Sequence, residues 1–338
     1  MSTLTRQTSR IYLWDNIKFF LIFLVVLGHF IHTYTNTSLV TEQLYTYILS
    51  FHMPTFLFIS GIFSKKAIQE NRTRKCFDLF VLYVVTKFFI FVSKIITNQY
   101  DGLSLFEEAS VPWYAFALMF FFGITMYLKK IKPSYLFFFS ILLGCICGYD
   151  EDINDLFVFS RILVFYPFFL CGYYFDAKKI AHYCSKPWLK FLALLFHICW
   201  ILYLFGVKSA TDLWHPLVTG REHFSELGIY YFWYRLLHYS ITFVLIFSCI
   251  VLFPRRRTIF SKMGSRSIQV YATHRGIIYM FFAIFPDKQL MKCWNEIPLL
   301  LLLTLSSVIL TIILSGKWLE KPMQLILHVP WMNNEEKA

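Results

Sequence analysis

Chemistry in this chain of 338 residues is confined to a short set of polar side chains standing inside apolar runs. Away from the ends of those runs are His29, His52, Lys87, Arg161, His197, Arg235, His238, His274 and Arg275, with Asp15 and Lys18 at the mouth of the first run. A titratable group within a membrane span is costly, so each of these is a functional candidate. Imidazole titrates near neutrality and suits proton transfer. Guanidinium and ammonium groups suit anionic ligands, Arg more so because its planar fork grips oxyacids bidentately. A lone span histidine is more often an interhelical hydrogen-bond donor, and His197 and His238 are read that way. Lys87 reads equally well as snorkelling or pairing with a carbonyl. His29 and His32 would begin a zinc site, but no carboxylate or thiolate stands at matching depth to complete it, so no metal is expected.

The elements that must position these groups follow from composition. The chain is 57% apolar, 20% aromatic and 15% charged, with 39 Phe, 21 Tyr and 9 Trp, and its mean hydropathy is +0.56. No soluble core of this length hides so many large rings, whereas lipid accepts them along helices that satisfy their own backbone. About 30 Å of hydrocarbon needs roughly 20 helical residues. Apolar runs predict ten spans, at 17–33, 44–63, 77–97, 112–128, 136–149, 156–175, 188–206, 228–253, 268–285 and 297–316. The expected fold is therefore an all-α, polytopic membrane helix bundle. It comprises an N-terminal segment 1–16, the bundle 17–316 and a tail 317–338. The eight Cys show no disulfide or metal spacing and read as small apolar residues.

The net charge of +12 is a topology signal. Lys and Arg cluster in alternate connections: Arg6 and Arg10, then Lys65 to Lys75, Lys129 to Lys132, Lys178 to Lys190, Arg255 to Arg266, and Lys317 to Lys337. The intervening connections hold only Lys94, Lys208, Arg221, Lys288 and Lys292. Basic segments resist translocation, which predicts both termini in the cytoplasm and removes nucleic acid as a partner.

Depth follows from sidedness and a rise of about 1.5 Å per residue. His29 and His52 each come out about 18 Å from the cytoplasmic edge, on helices joined by a short connection. His274 comes out about 9 Å from that edge. The chain thus reads as an outer pair, Arg161 and Arg235, a midplane pair of imidazoles, and an inner group of Lys18, His274 and Arg275. Trp113, Tyr114, Tyr230, Tyr231 and Trp233 read most simply as an aromatic belt, although such rings also stack on sugars.

At the first two spans, Arg10-x4-Asp15-x2-Lys18 precedes Val25-Val26-Leu27-Gly28-His29. Phe51-His52-Met53-Pro54 with Ser60-Gly61 follows. This string resembles the acyltransferase-3 family of integral-membrane acyltransferases, most closely its fucose 4-O-acetylase-like branch. The resemblance continues through Pro112-Trp113-Tyr114, Phe165-Tyr166-Pro167-Phe168-Phe169 with Gly172-Tyr173, and Gly264-x2-Ser267-x3-Tyr271-x2-His274. It implies transfer of an acyl group, usually acetyl from cytoplasmic acetyl-CoA, to a hydroxyl of a surface polysaccharide or lipid-linked glycan. It also implies association with membrane lipid and with polysaccharide synthesis machinery. The Phe, Ile and Lys usage suggests a bacterial source, hence a multi-pass protein of the bacterial plasma membrane.

Carried onto this sequence, the family's first-span histidine is His29 and the preceding basic residue is Lys18. The family's Arg-x-x-Arg is met only in part by Arg72-x-x-Lys75, and its late histidine motif falls on Tyr271 and His274. His29 is then the general base or the carrier of the acyl group, with His52 orienting it or sharing the proton. Lys18, Arg72, Arg74 and Lys75 attract the CoA phosphates, His274 or Arg275 stabilises the oxyanion, and Arg161, Arg235 and Trp113 bind the acceptor. Two other readings compete with the enzyme: a glycan or solute exporter, although the sequence shows no duplicated halves of the kind common among transporters, and a non-catalytic scaffold of a polysaccharide synthesis complex.

Overall fold

The computed structural model describes residues 11–100, 102, 110–149, 157–221 and 230–327. Arg6, Arg10 and Lys337, and the expected span starts at Leu156 and Gly228, lie outside the described residues. The described residues are 83% helical, and no strand occurs among them. The helices are α1 Tyr12–Ile31, α2 Leu39–Leu49, α3 His52–Gln69, α4 Arg74–Ile96, α5 Trp113–Leu128, α6 Pro133–Ile146, α7 Phe159–Tyr174 and α8 Ala177–Tyr183. They continue with α9 Pro187–Gly206, α10 Ala210–Thr219, α11 Tyr231–Leu252, α12 Ser261–Gly264, α13 Ser267–Ile284, α14 Asp287–Cys293, α15 Glu296–Leu314 and α16 Glu320–Leu327.

Among the described residues, six stretches are long and apolar enough to cross a membrane: Tyr12–Tyr34, Leu39–Gln69, Arg74–Ile96, Pro187–Gly206, Tyr231–Leu252 and Glu296–Leu314. The other four expected spans are helices too, but α5, α6 and α7 are only 16, 14 and 16 residues long. The fourth, α13, has 18 residues and carries Gln269, Thr273, His274 and Arg275.

The second stretch is broken rather than straight. Pro54 has no N–H to give the Ser50 carbonyl, and its ring crowds that oxygen, so α2 ends and α3 begins across residues 50 and 51. Hydrocarbon offers no replacement donor, so the protein supplies one. Thr242 of α11 donates its hydroxyl to the Ser50 carbonyl at 3.1 Å. The Trp200 indole of α9 donates to the Ser50 hydroxyl at 3.1 Å. Pro167 lies inside α7, and there Tyr239, one turn before Thr242 on α11, donates to the Val164 carbonyl at 2.8 Å. One face of α11 therefore serves both proline-disturbed helices.

Those two helices approach backbone to backbone. A side chain at Gly61 would land on the Phe169 carbonyl, and one at Gly172 on the Phe58 carbonyl. Small residues permit such contact where lipid gives helices no hydrophobic reason to associate. Replacing Gly172 with Leu must push α3 and α7 apart, a cost on the order of 1–3 kcal/mol or more. The Gly172→Leu protein is expected to lose its monodisperse peak in detergent or to unfold at markedly lower temperature. Gly123→Leu, at a position where an added Cβ meets nothing within 4 Å, is expected to behave as the parent in the same thermal assay.

Candidate active site

The register of α13 against α1 is set far from the histidines it aligns. Asn16, near the start of α1 and 3% exposed, donates to the carbonyls of Pro254 at 2.8 Å and Arg256 at 3.0 Å. Its carbonyl oxygen accepts from the hydroxyls of Thr258 at 2.7 Å and Ser261 at 2.6 Å. This side chain thus holds the α11–α12 connection, and Gly264 then seats against the Asp15 carbonyl. From that contact, ten residues onward into α13 and fourteen along α1 are rises of about 15 and 21 Å. They bring His274 and His29 together, with ring centroids 5.3 Å apart.

His274 therefore stands beside His29, whereas the counts of about 9 and 18 Å from the cytoplasmic edge set the two at different depths. His274 is fully buried. Its Nδ1 donates to the Val270 carbonyl at 2.8 Å, with the Tyr271 carbonyl at 3.0 Å. A carbonyl only accepts, so in the neutral ring Nε2 is the acceptor, and it has no hydrogen-bond partner among the described residues. Arg275 reaches the His29 carbonyl at 3.5 Å and stacks on Tyr279 with 4.6 Å to the ring centroid.

His52 is the first residue of α3, at the break. Its Nδ1 donates to the Ile48 carbonyl at 2.7 Å, fixing the ring across the kink. Lys18 of α1 stands over Phe63 of α3, 5.4 Å from Nζ to the centroid. Eleven residues onward along α1 and eleven back along α3 are His29 and His52, which both line one cavity.

That cavity, about 570 Å³, joins two charged ends. At one end are Lys18, Ser64, Lys75, Ser265 and Ser267. Lys18 also pairs with Asp15 at 2.9 Å. At the other end are Trp113, Arg161, Thr219 and Arg221. This far end is built beyond the kink. The His215 ring of α10 lies 6.1 Å from Tyr45 of α2. Ser160 of α7 donates to the Gly220 carbonyl, and Arg235 of α11 donates to the Leu217 carbonyl. The Arg161 guanidinium stacks on Trp113, 5.0 Å to the centroid.

The expected site residues thus divide. Lys18, His29, His52, Lys75, Trp113 and Arg161 line the cavity, and His274 and Arg275 stand behind His29. Arg235, 1% exposed, braces α10 from outside the lining. Arg72 is exposed and paired with Glu70 at 2.6 Å, and Arg74 lies 4.0 Å from Asp78; neither lines the cavity. His197 meets the Tyr47 hydroxyl at 2.9 Å, and His238 the Thr242 hydroxyl at 3.3 Å. Lys87 donates to the Tyr83 hydroxyl at 3.1 Å.

Sequence reasoning assigns Tyr114 to a lipid-facing belt, yet its hydroxyl meets Ser60 at 2.7 Å in the cavity wall. Arg221, counted as a loop charge, is also in the wall. Tyr271 accepts from the Ala115 N–H at 3.1 Å and donates to the Val111 carbonyl at 3.0 Å, so it fixes the start of α5 and with it Trp113 and Tyr114. Its i, i+3 spacing to His274 is the one signal in the sequence for this role. No three potential metal ligands converge among the described residues.

A family model described as an acyltransferase domain, that of the acyltransferase-3 family, matches residues 11–316. No curated protein and no solved structure matches the chain.

Replacing Asn16 with Leu keeps its size and strands the groups that it satisfies, at about 1–3 kcal/mol for each one left buried and unpaired. Asn16→Leu is expected to lower the thermal unfolding temperature in detergent by several degrees. An unchanged temperature would show that the α1–α13 register is held by other contacts.

Proposed function

The chain belongs to the acyltransferase-3 family, and from that premise we propose that it is a membrane O-acyltransferase of the bacterial plasma membrane. It moves an acyl group, acetyl in the simplest case, from cytoplasmic acyl-CoA to a hydroxyl of a surface polysaccharide or lipid-linked glycan. Within the family, its motifs align it with the fucose 4-O-acetylase-like branch. The observation that carries this reading is that a single cavity runs from Lys18 and Lys75, past His29 and His52, to Arg161 and Arg221. A thioester entering from one end and an alcohol from the other meet at the imidazoles.

In this reading the Lys18 end is cytoplasmic, as the alternation of basic segments requires, with both termini on that side. Lys18 and Lys75 draw the CoA phosphates by charge, while Arg72 and Arg74 steer from the surface. The acceptor oxygen attacks the thioester carbonyl as a His29 ring nitrogen takes its proton. The carbon–sulfur bond then breaks, and the thiolate leaves with that proton. A two-step form, in which His29 carries the acyl group before the alcohol attacks, uses the same geometry. The His274 ring packs against that of His29 and fixes its orientation, and Arg275 holds the His29 backbone. With its Nδ1–H committed to Val270, His274 orients the base and does not serve as oxyanion donor. The Tyr45 hydroxyl, on the same wall, is better suited to that role.

A cavity with two polar ends also suits an exporter, and a scaffold needs no chemistry at all; thioester consumption separates both from the enzyme. Purified His29→Ala, inserted and folded as the parent, is expected to lose acyl transfer by at least about 10²-fold, the lower range for positioned proton transfer. Retained turnover would remove His29 from the chemistry. Lys75→Glu is expected to raise KM for acyl-CoA about tenfold while flattening its dependence on salt.

A further inference from the structure

Between the lysines and the imidazoles, much of the cavity wall is apolar. There α1 contributes Ile22 and Val25, α4 contributes Leu79 and Leu82, and α5 contributes Leu118 and Phe122. Two hydroxyls interrupt this stretch, those of Ser60 on α3 and Tyr114 on α5, 2.7 Å apart. The Tyr114 ring stands 6.1 Å from that of Phe56 and 5.6 Å from that of Tyr271. Tyr271 in turn holds the start of α5 through the Ala115 N–H and the Val111 carbonyl. Residues of α3, α5 and α13 thus fix where the pair sits.

Each hydroxyl has one hydrogen to donate and two lone pairs to accept. Bonded to each other, the two use one hydrogen and one lone pair. Among the described residues neither hydroxyl has a further hydrogen-bond partner. One O–H and several lone pairs therefore remain for a ligand, which is the complement of a secondary amide with its one N–H and one C=O. An apolar channel alone accepts an alkyl chain, whereas an amide enters it at little cost only where both its polar groups are met.

The pair's place along the cavity can be counted. Lys18 and His29 are eleven residues apart on α1, a rise of about 16 Å. Ser60 is eight residues beyond His52 on α3, about 12 Å, and its side chain leans back toward the His52 end, the N-terminus of that helix. The hydroxyls thus stand about 10 Å from the level of the imidazoles. An extended chain advances about 1.2 Å per bond, a third of the span of a three-bond residue. The roughly thirteen bonds from phosphorus to sulfur in a phosphopantetheine thioester therefore reach about 16 Å, from lysine to imidazole. Of the arm's two amides, the one distal to sulfur lies about 9 Å from it.

We infer that Ser60 and Tyr114 bind the sulfur-distal amide of the donor's phosphopantetheine arm. Held there, the arm brings its thioester to the level of His29, and a plain alkyl chain of the surrounding lipid gains nothing from the same hydroxyls. The inference rests on the transfer reading above for the identity of the donor, but it concerns binding and is measured without turnover.

The test is a cycle that changes protein and ligand separately. The full-length protein in nanodiscs is titrated with acetyl-CoA and with an analogue in which the sulfur-distal CO–NH is replaced by two methylenes. The parent is compared with Tyr114→Phe and Ser60→Ala. Tyr114→Phe is expected to weaken acetyl-CoA about tenfold and Ser60→Ala at least threefold, while each changes the affinity of the analogue less than twofold. Equal weakening of both ligands overturns the inference, because hydroxyls that merely join α3 to α5 act on any arm alike. Unchanged affinity for acetyl-CoA in both variants, or no binding of acetyl-CoA by the parent, also overturns it. Thiol release from acetyl-CoA by the parent, with envelope glycans added, is followed separately. The expected binding pattern without thiol release keeps the inference and overturns the transfer reading; thiol release with affinities indifferent to both substitutions does the reverse.

Discussion

One backbone carbonyl orphaned by proline inside the bundle governs much of what surrounds it. In water the Ser50 oxygen would be solvated; in hydrocarbon, left unpaired, it costs several kcal/mol. Thr242 of α11 satisfies it, and Tyr239, three residues earlier on the same helix, donates to the Val164 carbonyl of α7. That requirement draws α11 against α3 and α7, while Gly61 and Gly172 let those two helices close on each other. Because both donors are hydroxyls on one turn of one helix, α11 ties the break at Ser50 to α7.

The functional geometry follows from the same requirement. The kink at Ser50 makes His52 the first residue of a new helix, and the ring ties itself back across the break to Ile48. Beyond the kink, α2 diverges far enough to seat α10, and α10 brings Thr219 and Arg221 to the wall. On the other side, Asn16 and Gly264 set α13 against α1, so that His274 meets His29. A cavity between two charged ends is therefore a by-product of how broken helices are made tolerable in lipid, and His29 and His52 line it.

Much of this is legible in the residues, and the remainder is illegible for a physical reason. The Lys18 to His29 spacing lies on one uninterrupted helix, so a rise per residue is enough to separate a charged mouth from an imidazole in the cavity wall. Pro54 two residues after His52 announces a break next to a titratable group. The position of His274 is different in kind, because it depends on hydrogen bonds between residues 238 to 245 apart in sequence, made by one Asn with no local signature. Arg161 and Arg235 look alike in the chain, both buried cations in apolar helices. Only the fold turns one towards the cavity and the other onto the Leu217 carbonyl. The basic turn at Arg72 and Arg74 reads as an attractor of CoA phosphates, and the fold sets it beside Glu70 and Asp78, a few residues away. Short-range charge pairs of this kind are worth little energy and leave no trace in periodicity.

The most direct test of a shared cavity with chemistry at its midpoint is sided. The protein is reconstituted in tight vesicles in a uniform orientation, acyl-CoA is supplied only on the face bearing Lys18 and Lys75, and an acceptor glycan is sealed on the opposite face. If the imidazoles serve both ends, ester accumulates on the glycan across the bilayer while neither CoA nor glycan crosses. Ester formed only when both substrates share one face, or accompanied by passage of intact acyl-CoA, would contradict it.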